Sequence, residues 1–96
     1  MSESNRLIHV YVSGTVQGVF FRKSTQEKAQ SLGLNGWVRN RSDGRVEAKV
    51  LGEETSILNM LNWFGKGPVR ARVTNVEIQW IEELEHLTGF EILETV

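Results

Sequence analysis

Apolar and polar residues alternate over residues 7–13, with Ile8, Val10 and Val12 on one face and His9 on the other, the period of a half-buried strand. From Phe21 the period lengthens. Phe21, Thr25, Ala29 and Leu32 recur at three- and four-residue spacing, and Gly33 supplies a stop, which predicts a helix. Alternation returns over residues 35–40, where Trp37 and Arg39 share one face and Val38 and Asn40 the other. Arg41-Ser42-Asp43-Gly44 then reads as a hairpin turn through its Asp-Gly pair. A third strand follows over residues 45–51, with Val46, Ala48 and Val50 inward and Arg45, Glu47 and Lys49 outward.

A second helix opens at Gly52-Glu53-Glu54-Thr55, where acids suit the helix dipole, and carries Ile57, Leu58, Leu61 and Phe64 as its stripe. Gly65 and Gly67-Pro68 end it. In the fourth strand, over residues 71–81, Ala71 and Val73 take odd positions but Val76, Ile78 and Trp80 take even ones, so a bulge is expected near Thr74-Asn75. Residues 90–92 form a short last strand after an acidic loop.

The resulting order, β-α-β-β-α-β plus a short C-terminal strand, predicts an α+β fold: a ferredoxin-like split-βαβ sandwich with two helices on one face of an antiparallel sheet. A crossover helix joins the first two strands, so they should run parallel with the third between them and end on one edge of the sheet. Asn40, at the end of the second strand, then lies two strand spacings from the loop that leaves the first, on the order of 10 Å. A phosphoryl group and one water fit that gap.

That loop contains the candidate chemistry. Gly14-Thr15-Val16-Gln17-Gly18-Val19-Phe20-Phe21-Arg22 joins strand to helix, holds two glycines and no acid, and ends in an arginine at the helix start. Loop and first-turn N–H groups in such a segment form a concavity of positive partial charge suited to a phosphate-sized anion. Arg22 adds a permanently charged fork that can take two phosphate oxygens.

The 96 residues suit one domain with one modest core, and 40% apolar and 24% charged residues are ordinary for a soluble protein. Without cysteine there is no disulfide framework, thiol nucleophile or thiolate metal site, and His9 and His86 stand in no metal-ligand spacing. Residues 1–6 read as a flexible tail without the apolar core of a signal peptide. No apolar run reaches membrane-spanning length, so a cytoplasmic protein without a membrane partner is expected. The net charge of −1 hides an asymmetry: residues 1–50 hold eight Lys/Arg against four acids, +4, and residues 51–96 three against eight, −5. The candidate loop lies in the basic half, whose field would draw anions. Lys23, Lys28 and Lys49 are read as solvated surface charges.

Gly-x-Val-Gln-Gly-Val-x-Phe-Arg, present from Gly14 to Arg22, resembles the signature loop of the acylphosphatases. Gly36-Trp37-Val38-Arg39-Asn40 followed by Asp43-Gly44-Arg45-Val46-Glu47 resembles that family's second motif, and Gly67-Pro68 and Gly89-Phe90-Glu91-Ile92 extend the likeness over residues 7–92. The resemblance implies hydrolysis of acyl phosphates to carboxylate and inorganic phosphate. Arg22 and Asn40 would be the catalytic residues, Asn40 orienting the attacking water, and Gln17, Gly18, Val19, Phe20, Phe21 and Arg22 would bind the phosphoryl group. It implies no metal and no cofactor. Phe20 and Phe21 are read as packing residues, with Phe20 near the loop mouth; Asp43 is assigned to its turn and Glu47 to the outer strand face.

The alternatives from another class are a non-catalytic anion-binding domain and a ferredoxin-like module for single-stranded RNA. The third strand lacks the stacking aromatics of RNA-binding modules and the overall balance is acidic, so no nucleic-acid partner is expected. A monomer is expected.

Overall fold

The alternation of Ile8, Val10 and Val12 is realised as β1 (Asn5–Thr15) in the computed structural model, which describes residues 5–96. The chain continues as α1 (Phe21–Ser31), β2 (Asn35–Asn40), β3 (Val46–Glu53), α2 (Glu54–Phe64), β4 (Arg72–Ile81) and β5 (Phe90–Ile92). The strands order as β4-β1-β3-β2-β5. Because β3 pairs antiparallel with both β1 and β2, those two strands run the same way and finish on the same edge, as the crossover argument requires.

Two boundaries differ from expectation: the start of α2, because Gly52 and Glu53 extend β3 instead of opening the helix, and the start of β1. Asn5 and Arg6, assigned to the tail, belong to β1, where they pair with Glu53 and Gly52. Arg6 also donates to Glu54 at 2.8 Å and lies over the Trp80 ring, contacts that need the folded sheet. The other four expected tail residues lie outside the described ones. The sheet is also mixed, because β5 lies parallel to β2. Residues 82–89 carry the chain from the β4 edge to the opposite edge and reverse its direction, and β4 itself runs counter to β1 and hence to β2.

Both helices cover one face of the sheet. Beneath them Ile8, Val10, Val12, Val38, Val46, Ala48 and Val50 are fully buried, and Phe21, Thr25 and Ala29 of α1 meet them with Ile57, Met60 and Phe64 of α2. Met60 replaces the expected Leu58, which is half exposed. One residue on from Ile57 is a rotation of about 100°, whereas three residues on return to the same side. The parity change in β4 is present: Ser13 faces Asn75 and Gly14 faces Val73, so Thr74 has no partner across the ladder. Gly14 permits that approach. At its φ of 125° a Cβ would collide with the Arg72 carbonyl oxygen.

The other face of the sheet is open, yet Glu47 on it is only 3% exposed. Its neighbours in sequence give no hint of this. Cross-strand pairing sets it between Tyr11 and Arg39. His9 Nε2 donates to Glu47 Oε2 at 2.6 Å, while Arg39 Nε and Arg41 Nη1 reach Oε1 at 2.9 and 3.1 Å. The guanidinium of Arg39 lies over Trp37, and those of Arg41 and Arg45 lie over Tyr11. The partly buried aromatics Tyr11 and Trp37 of this face are therefore already covered by arginines from the same chain.

Burial pushes the Glu47 carboxyl up, but hydrogen bonds from Arg39, His9 and Arg41 outweigh it and lower the group from 4.5 to about 2. A lowered folded-state value means that the stabilisation is complete above the unfolded value and is lost as pH falls through the folded one. Glu47→Gln is accordingly expected to lower the unfolding free energy by about 2 kcal/mol near neutral pH, with the two proteins converging between about pH 4 and pH 2. Urea denaturation across that range measures it; a gap independent of pH would show that packing, not charge, accounts for Glu47.

Candidate active site

The loop between β1 and α1 is anchored at both ends by side chains buried in the core, Val16 and Phe21. Phe21 stacks against Phe64 with centroids 6.4 Å apart and tilts against Trp63 at 5.5 Å, which fixes where α1 begins. Between the anchors the backbone is left-handed at alternate positions, Gly18 (φ 73°) and Phe20 (φ 61°). Such alternation curls the chain so that successive N–H groups converge on one concavity. The helix adds to it. No side chain caps α1, its first turn holds no acid, and its first backbone bond runs from Ser24 N to Phe20 O at 2.9 Å. A helix start of this form leaves the N–H groups of Phe21, Arg22 and Lys23 without helical acceptors.

Asn40 reaches this loop through the β2–β3 hairpin. Gly44 N donates to Arg41 O, and the Asp43 carboxylate accepts from both the side chain and the backbone N–H of Arg45, which hold it well below the usual carboxylate range. The turn assignment of Asp43 is thus correct. Gln17 then ties loop to hairpin, its Nε2 donating to the carbonyls of Arg41 and Arg45 at 2.8 and 2.9 Å. From the other side, the segment after β5 holds the Asn40 backbone: Val96 N donates to Asn40 O at 3.1 Å and Leu93 N to Val38 O at 2.9 Å.

The outcome is a cleft of about 330 Å³ shared by Gly18, Phe20, Phe21, Arg22 and Asn40, with Ile92 of β5 at its border. Two features of it are unsatisfied. Asn40 Oδ1 is buried and has no hydrogen-bond partner among the described residues. A buried acceptor left in that state is costly, on the order of 1–3 kcal/mol, and folded proteins keep few of them. Arg39, Arg41 and Arg45 are each tied to a carboxylate. Arg22, by contrast, makes no ion pair or side-chain hydrogen bond among the described residues, so its five donors are free for a ligand.

Four of the six expected phosphate-loop residues line this cleft, with Asn40. Gln17 and Val19 do not: the Gln17 side chain faces the hairpin, and Val19 packs against the core. Lys23, read as a plain surface charge, is also at the cleft, as is Val16. Phe20 differs most from expectation, since its ring is 76% exposed and packs no core. Among the described residues no group of three or more His, Asp or Glu side chains gathers where it could hold a metal ion.

The family model described as Acylphosphatase matches residues 8–92, most of the chain and every element named above except the first three residues of β1. The chain belongs to the acylphosphatase family. A curated acylphosphatase of Rubrobacter xylanophilus is 46% identical to it over 91 residues, covering 95% of this chain and 83% of the relative. That of Pyrobaculum aerophilum is 48% identical over 89 residues, covering 92% and 94%. Among solved structures, an acylphosphatase from Coxiella burnetii superposes with a TM-score of 0.89 at 45% identity, covering 93% of each chain. The acylphosphatase likeness thus spans the loop, the Asn40 hairpin and β5, the three elements that enclose the cleft.

Proposed function

We propose that this acylphosphatase-family chain hydrolyses the carboxyl–phosphate bond of acyl phosphates at the cleft between its β1–α1 loop and Asn40. The loop N–H groups and the Arg22 guanidinium receive the phosphoryl oxygens, and the Asn40 side chain orients the attacking water. The water oxygen bonds to phosphorus while the bond from phosphorus to the bridging oxygen breaks. The carboxylate leaves with that electron pair, and one water proton passes to a phosphoryl oxygen. A carboxylate is a good leaving group, so the barrier is lowered chiefly by positioning and by stabilising charge on the equatorial oxygens. Neither role requires a side-chain base, which accords with Asp43 and Glu47 being held by arginines.

One observation supports this reading above others: Asn40 Oδ1 and Arg22, both without partners among the described residues, share a cleft. An acceptor that can take a hydrogen bond from water, set beside donors for a phosphoryl group, suits an attack on phosphorus. The same reading takes the chain as a single-domain, monomeric, cytoplasmic enzyme with a small acyl phosphate as substrate and phosphate as product. It includes no metal, cofactor, nucleic acid or membrane partner.

Release of inorganic phosphate from benzoyl phosphate in the presence of EDTA tests it. The expected result is enzymatic release that EDTA does not diminish. Phosphate binding near Arg22 without turnover would instead assign the cleft to an anion-binding domain, and activity restored only by a divalent cation would replace the metal-free mechanism.

A further inference from the structure

Phe20 is the one non-glycine residue with positive φ among the described residues, at φ 61° and ψ 25°. Holding an L side chain in that region costs on the order of 1 kcal/mol. Its ring recovers nothing from the core, being 76% exposed. A glycine would take the same backbone without strain. A strained, solvent-facing aromatic at the mouth of a cleft is therefore unexplained by folding.

The cleft supplies an explanation. Of its polar groups, Arg22, Asn40 and the loop N–H groups are engaged by the phosphoryl group and the water in the proposed reaction. Of the rest of the lining Val16 and Phe21 are buried, so the acyl part of the substrate must meet the exposed groups at the mouth: the Phe20 ring, Ile92 and Lys23. Two of these three are apolar, and the larger is a flat ring free to offer a face. We infer that Phe20 is the specificity-determining residue for the acyl group, selecting aromatic and other bulky apolar acyl phosphates over small ones. This rests on the acyl-phosphatase reading of the cleft and adds the substrate class to it. Stacking of the acyl ring on Phe20, with Ile92 as a second apolar surface, removes both from water on binding.

The test compares kcat/KM for benzoyl phosphate and acetyl phosphate in the intact protein, Phe20→Gly and Phe20→Tyr. Glycine relieves the backbone strain, so Phe20→Gly is expected to fold with an unchanged or raised Tm. Its benzoyl-to-acetyl ratio should fall by about tenfold, mainly through KM for benzoyl phosphate, as loss of one aromatic contact predicts. Phe20→Tyr keeps the ring face and should keep the ratio. A Phe20→Gly ratio within twofold of the intact protein overturns the inference. A preference of the intact protein for succinyl phosphate over benzoyl phosphate also overturns it and assigns the mouth to Lys23. Inactivity of the intact protein toward every acyl phosphate overturns the reading of the cleft itself, whereas an active protein with an unmoved ratio overturns only the role of Phe20.

Discussion

Arg22→Ala is expected to lower kcat/KM for benzoyl phosphate by at least about 10²–10³-fold, the usual consequence of removing one preorganised donor from developing charge. The fold should survive it. Arg22 makes no ion pair or side-chain hydrogen bond among the described residues, and its helix is held by the buried side chains of Phe21, Thr25 and Ala29. Its charge is thus available entirely for the ligand. The guanidinium's planar fork distinguishes it from a point charge, so Arg22→Lys should recover only part of the loss. Steady-state hydrolysis with circular dichroism on each variant measures both statements. A folded Arg22→Ala protein that retains most of its activity would remove Arg22 from the mechanism.

Asn40→Ala is expected to produce a loss of similar size, about 10²–10³-fold, but placed differently. The phosphoryl oxygens would still meet the loop and Arg22, so KM should change little and kcat should carry the effect. Stability offers an independent readout. Because Oδ1 is buried without a partner among the described residues, deleting the side chain removes an unsatisfied acceptor rather than a bond. Asn40→Ala should therefore be as stable as the intact protein, or more so, while nearly inactive, the trade-off expected where a site retains unsatisfied groups for its ligand. Thermal unfolding and kcat on the same preparation decide it. A marked loss of stability would mean that Asn40 is a structural turn residue, the ordinary role of an asparagine beside an Asp-Gly hairpin.

These two residues also show why the candidate cleft was partly legible in the sequence. The alternation of Val38 and Asn40 against Trp37 and Arg39 places Asn40 on the helix-covered side of β2. The crossover rule brings the end of β2 to the edge where the β1 loop leaves the sheet. Both inferences use only strand period and chain handedness. The ring of Phe20 was not legible in that way. Adjacent aromatics at the start of a helix both look like core residues, and only the left-handed backbone at residue 20 sends one ring inward and the other out. Gln17 is a similar case, since the carbonyls it holds belong to Arg41 and Arg45, more than twenty positions away in the chain.

Local period and turn chemistry, which need no partner to be read, determined the elements, the β4 bulge, the hairpin at Asp43-Gly44 and the anion-suited loop before Arg22. The sequence by itself also determined which side of β2 Asn40 occupies. Only the tertiary structure decided that Glu47 is a buried hub for two arginines and His9, that β5 runs parallel on the β2 edge, and that Asn40 Oδ1 has no partner among the described residues. Each of these depends on cross-strand register or on which groups surround an atom, and such non-local neighbours have no fixed spacing along the chain.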